Sequence, residues 1–193
     1  MRGLGCRSSM RDWFLPRTGI LVVLFFGSLF PDPSAQQGQD AAAPILSALR
    51  SRDFAQALTL SRSALAANPG DFRIWTLRGM ATAGTGDLAG ALSAYQHALQ
   101  LQPNYLPALE GAAQTEFQIG RDARPLLEKI LSQRPDEPVS HMLLGILDAR
   151  NDDCSGAVDH FSHASAVMAH QPEALTDNGS CLAAANRSAA DLN

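Results

Sequence analysis

Ala57, Ala91, Ala123 and Ala157 stand 34, 32 and 34 residues apart, and two further columns keep the same step. Four and seven residues beyond each alanine the chain reads Ser61 and Ala64, Tyr95 and Ala98, Leu127 and Ile130, Phe161 and Ala164. Offsets of four and seven return to one face of a helix, so a small, large, small stripe is written four times. A period near 34 in helical sequence marks a helix-turn-helix solenoid, whose units cannot bury their apolar faces alone and must stack. Such a chain is built to present a surface, which points to binding.

The punctuation keeps the same step. Pro69, Pro103, Pro135 and Pro172 fall at or just beyond the end of each second helix, where a residue without an N–H does no harm. Within each unit a breaker separates two helices: Ser51-Arg52-Asp53, Gly84-Thr85-Gly86-Asp87, Gly120-Arg121-Asp122 and Asn151-Asp152-Asp153. The aspartates are expected to cap the helices that follow, because a short carboxylate accepts the orphan N–H groups of a first turn. Gly79 and Gly145 share one place midway along a first helix, where glycine costs about 1 kcal/mol relative to alanine. The expected reason is the close approach of another helix's backbone. No stretch has the strict apolar/polar alternation of a half-buried strand, so an all-α chain is expected.

These residues carry a resemblance. The unit from Phe72 to Pro103 holds Trp75, Gly79, Ala91, Tyr95, Ala98 and Pro103 in the pattern of a tetratricopeptide repeat (TPR), and the chain resembles that family. The unit with Gly145, Ala157, Phe161 and Ala164 is nearly as close. In the unit at residues 40–69, Ile45 stands where a small residue is expected and Ser61 replaces the large one. The unit at 106–135 keeps Ala113, Ala123 and Leu127 but is two residues short at its turn, which is expected to alter the local curvature. The resemblance implies a right-handed, all-α helix-turn-helix solenoid of about four units, at residues 40–69, 72–103, 106–135 and 138–171. Residues 172–193, with Gly179 in the small slot, are expected to form a partial fifth unit or a capping helix.

The N-terminus reads differently. Arg2, Arg7, Arg11 and Arg17 precede Gly19 to Phe30, twelve residues without a charge. A positive start, a short apolar middle and small residues after it are the marks of a secretory signal. Twelve helical residues span roughly 18 Å against about 30 Å of bilayer hydrocarbon. Residues 1–35 are therefore expected to be a signal peptide and 36–39 a linker, with the repeats at 40–193 periplasmic or secreted. Pro33 is a poor neighbour for a cut after Ala35, so an uncleaved anchor stands as the alternative, the one case that would involve a membrane. The first 35 residues hold four of fifteen basic and two of nineteen acidic residues, leaving eleven against seventeen. That balance of minus six argues against a nucleic-acid partner, which needs a basic stripe to displace counterions.

Export would place Cys154 and Cys181 in an oxidising compartment, where two cysteines of a small domain commonly pair; two small buried thiols that pack like alanine are the alternative. They open one helix and sit midway along the next, and a bond closing the span between them is expected to contribute on the order of 3 kcal/mol. His160 and His163 are three apart on a helix, within reach of a shared metal, yet they flank Phe161 on a face expected to be solvated. No metal site is assigned, and His141 is expected to pack against a neighbouring helix. No Ser/His/Asp or Cys/His set has the spacing of a nucleophile and its base, so the reading is non-enzymatic and without cofactor.

The resemblance implies a concave ligand surface lined by first helices, taking a protein or peptide. By position it would include Arg73, Thr76, Met80 and Ala83, then Glu110, Gln114 and Phe117, then Met142, Ile146 and Arg150. Two functions are weighed. One is a non-catalytic interaction scaffold in envelope or secretion assembly. The other is a redox-responsive or metal- or small-ligand-binding repeat protein using the Cys154/Cys181 and His160/His163 pairs.

Overall fold

The computed structural model describes the backbone of residues 33–190 and the side chains of residues 41–184. Residues 1–32, most of the expected signal peptide, lie outside them. Four helical hairpins follow in order: α1 (Pro33–Arg50) with α2 (Phe54–Ala67), α3 (Phe72–Gly84) with α4 (Leu88–Leu101), α5 (Leu106–Gln118) with α6 (Arg124–Gln133), and α7 (Pro138–Arg150) with α8 (Cys154–His163). A one-turn helix α9 (Ser165–Met168) and a last helix α10 (Pro172–Ala190) complete the set, with no strand among the described residues. Helix α1 runs through residues 36–39, so the stretch expected as a linker is helical. Each second helix packs on the first helix before it and the one after it, which is how units too thin for a core of their own acquire one.

The turns follow from their residues. Asp53, Asp87 and Asp153 each accept the backbone N–H three residues on, at 2.9, 2.9 and 3.0 Å, and Asp71 and Glu137 cap α3 and α7 in the same manner. Each such cap is worth about 1 kcal/mol. One residue per turn enters the left-handed region: Arg52 (φ 59°), Gly86 (88°), Gly120 (72°) and Asp152 (60°). Glycine takes this conformation freely; Arg52 holds it against its own Cβ.

The costly glycines have a different cause from the one expected. A Cβ at Gly79 would lie 2.6 Å from the ring of Tyr95, and one at Gly111 would lie 2.5 Å from the same ring. Gly145 stands in the same relation to Phe161, at 2.6 Å. An aromatic side chain, rather than a backbone, needs the space. Tyr95 is 3 % exposed, and burial pushes its phenol up to about 12. In the first unit the register positions of Gly79, Tyr95 and Gly111 are held by Ile45, Ser61 and Leu77, all buried. Large and small have traded places, so the two departures that weaken this unit's match compensate each other in volume.

The third hairpin departs in length. From the left-handed residue to the repeat alanine the other turns count five residues, as in Gly86 to Ala91, whereas Gly120 to Ala123 counts three. Helix α6 therefore starts one residue after Ala123, whose side chain offers no cap, and Asp122 accepts only the Arg124 N–H at 3.0 Å; like α8, α6 has 10 residues where α2 and α4 have 14. The first helices α1, α3 and α5 pack one on the next, and α7 packs on α10, but α5 and α7 are not packed together along their length.

Candidate partner-binding cleft

Where α5 and α7 part, a cleft of about 330 Å³ opens. Leu127 and Ile130 of α6 form its floor, Glu110, Ala113 and Gln114 one wall, and Val139, Ser140 and Leu143 the other. Glu110 and Arg134 pair across its mouth at 3.2 Å, both side chains largely solvated, so this pair adds little stability and can open. Outside this cleft, at the C-terminal ends of α5 and α7, the Arg150 guanidinium lies 4.7 Å over the Phe117 ring and also donates to Glu173 at 2.7 Å. Apolar floor, polar rim and solvated ion pair suit an apolar side chain carried on a peptide backbone.

The groove residues expected from the sequence divide along this gap. Thr76, Glu110 and Met142 occupy one register column, and Met80, Gln114 and Ile146 the next. Thr76 is buried where α5 packs on α3, and Met142 and Ile146 are buried where α10 packs on α7, so these three line no open groove. Glu110 and Gln114 stay accessible because α7 does not cover them. Met80 is 44 % exposed. Arg73 is partly exposed but held by Asp71 through two bonds of 3.1 and 3.0 Å, which raise the guanidinium's basicity further. Leu127, Ile130, Arg134, Val139, Ser140 and Leu143 were not expected at a site; the two-residue shortening was the signal that pointed to them.

The histidines also differ from expectation. His160 is not simply solvated. His141 Nε2 lies 2.8 Å from the Pro135 carbonyl, so it carries the hydrogen, and its Nδ1 accepts from His160 Nδ1 at 3.0 Å. His160 Nε2 then lies 3.7 Å from Asp148 Oδ2, while the other oxygen of this buried carboxylate takes Arg124 Nη2 at 2.5 Å. The exposed His163 ring stacks on His141 at 4.7 Å. Burial lowers the pKa of His160, partly offset by Asp148. His141 packs against α8, as expected. Among the described residues no group of three or more His, Cys, Asp or Glu side chains is arranged to hold a metal ion. Cys154, at the start of α8, and Cys181, within α10, are joined by a disulfide with Cα atoms 4.9 Å apart.

Residues 45–105 match the tetratricopeptide repeat family. No curated protein matches the chain. Among solved structures, a MamA mutant superposes with a TM-score of 0.66 at 18 % identity, covering 81 % of this chain and 91 % of its own. MamA from Desulfovibrio magneticus RS-1 gives 0.65 at 17 % identity over 80 % of this chain and 90 % of that one. A tetratricopeptide repeat protein from Parabacteroides merdae gives 0.61 at 18 % identity over 74 % and 57 %. Residues 45–105 thus carry the tetratricopeptide repeat, and the described chain has the all-helical solenoid fold of TPR proteins.

Proposed function

We propose that this chain is a non-catalytic scaffold that receives an extended peptide or a partner helix in the cleft between α5 and α7. The observation that carries the reading is the divided register: Glu110 and Gln114 are open where the matching Thr76, Met142 and Ile146 are covered. A partner's apolar side chain would rest on Leu127 and Ile130, and its backbone would meet Gln114 and the Glu110–Arg134 pair. Met80 and Arg73 would extend the contact along α3.

The role is placed outside the cytoplasm, in envelope or secretion assembly, with residues 1–35 as a cleaved signal or a retained anchor. The arginines before an uncharged stretch support this, as does the Cys154–Cys181 disulfide. No described helix is long and apolar enough to cross a membrane. Photo-crosslinking amino acids at Gln114 and Val139 should capture a partner in cells, and the same probes at the exposed Gln96 and Glu128 of second helices should not. Capture only from the second helices would overturn the reading. Loss of export after deletion of residues 1–35 tests the compartment.

A further inference from the structure

Helix α10 is held to the rest of the array in an unusual way. Each of α3, α5 and α7 buries branched aliphatic side chains of its own: Ile74 and Leu77, Leu109, and Leu143, Leu144 and Ile146. Among its described side chains α10 buries Ala174 and Cys181, both small and two helical turns apart. Its large apolar residues Leu175 and Leu182, 48 % and 44 % exposed, line an open cavity with Phe161 and Met168 instead of closing on them. Its ion pair, Glu173 with Arg150, is about half-exposed on both sides and so contributes little. Yet α10 shares one core with Phe161 and Met168, which are 1 % and 3 % exposed. With two small buried side chains among those described, α10 covers a surface built from much larger ones. A covalent tie is added through Cys181 to Cys154.

We infer that the Cys154–Cys181 disulfide is a redox latch: closed, it keeps α10 over the apolar surface of Phe161 and Met168; opened, it releases α10 and bares that surface. This goes beyond the scaffold reading and involves a different face from the α5–α7 cleft. The bond works by effective concentration, reinforcing a docking to which the described part of α10 brings only two small buried side chains. A dithiol reductant opens it. One thiolate of the reductant attacks the Cys154 sulfur, which belongs to the more accessible of the two residues, and displaces the Cys181 thiolate, which takes up a proton. The reductant's second thiol then closes on the mixed disulfide, leaving two protein thiols and the reductant oxidised to its cyclic disulfide.

Hydrogen exchange on the full chain, with and without dithiothreitol, tests the latch. On reduction, amides of residues 172–184 should exchange at least about tenfold faster while those of α1 to α6 stay within about twofold, the pattern of one local unit opening. Binding of a hydrophobic dye should rise in parallel. The Cys154→Ala/Cys181→Ala variant should behave as reduced protein and ignore the reductant. Unchanged protection of α10 in both reduced and variant protein would overturn the proposal. So would a uniform rise over all helices, which would make the bond a staple of the whole array. Should the variant fail to fold, the reductant titration of the unmodified chain decides alone.

Discussion

The hairpins α3–α4 and α5–α6 are drawn from the same columns, yet one propagates the solenoid and the other interrupts it. In α3–α4 the turn from Gly86 to Ala91 leaves room for a full first helical turn capped by Asp87. In α5–α6 the alanine comes two residues sooner, Asp122 reaches only the Arg124 N–H in place of the N–H three residues on, and α5 and α7 part. Repeat identity resides in the stripe that packs, while the continuity of the inner surface resides in the connection length. A shortened loop costs a repeat protein little stability and can open a site.

Replacing Gly79 with Ile tests the regular hairpin hardest, because the new side chain drives into the Tyr95 ring; a loss of about 3 kcal/mol is expected in urea unfolding. Adding Tyr95→Ser and Gly111→Leu copies the Ile45/Ser61/Leu77 arrangement and should recover at least about half of that loss. Strict additivity would refute the compensating register. In the irregular half, Arg124→Ala removes the arginine partner of the buried Asp148; with His160 still beside the carboxylate, we expect a loss of about 2 kcal/mol.

Acid should separate the two halves as well. Burial lowers the folded-state pKa of His160 below its ordinary 6.5, so below that value the unfolded chain binds the proton more readily. The stability this neutral histidine contributes is present above pH 6.5 and is lost as pH falls through the folded pKa. Protection factors, which are corrected for the slower intrinsic exchange in acid, should therefore fall between pH 7.5 and pH 5 more in α7 and α8 than in α3 and α4, and His160→Asn should remove the difference. The smallest effect is expected at the turns. Arg52→Gly relieves a left-handed residue and should gain about 0.5 kcal/mol, while Gly86→Arg should lose a similar amount or more; equal melting temperatures would show that these turns carry no strain.

Much of this was legible in the chain. The alanine columns, prolines and aspartates report contacts within a few turns of helix, and local spacing predicts them well. The glycines were legible as an anomaly, but the Tyr95 and Phe161 rings that explain them come from the other helix of each hairpin. Thr76, Met142 and Ile146 share columns with exposed residues, so position in the repeat could not tell which of them the next first helix covers. His160 looked solvated beside Phe161 because Asp148 and His141, its partners on α7, are 12 and 19 residues away in sequence.

The period, the turns and the pairing of helices were set by the sequence alone, since each depends on backbone preferences and on side chains a fixed few residues apart. Which columns are open, where the inner surface breaks, and which helix the disulfide ties to α8 were decided by the tertiary structure. Those features depend on the distance between helices that never neighbour one another in sequence, and two missing residues at one turn change that distance without changing any stripe.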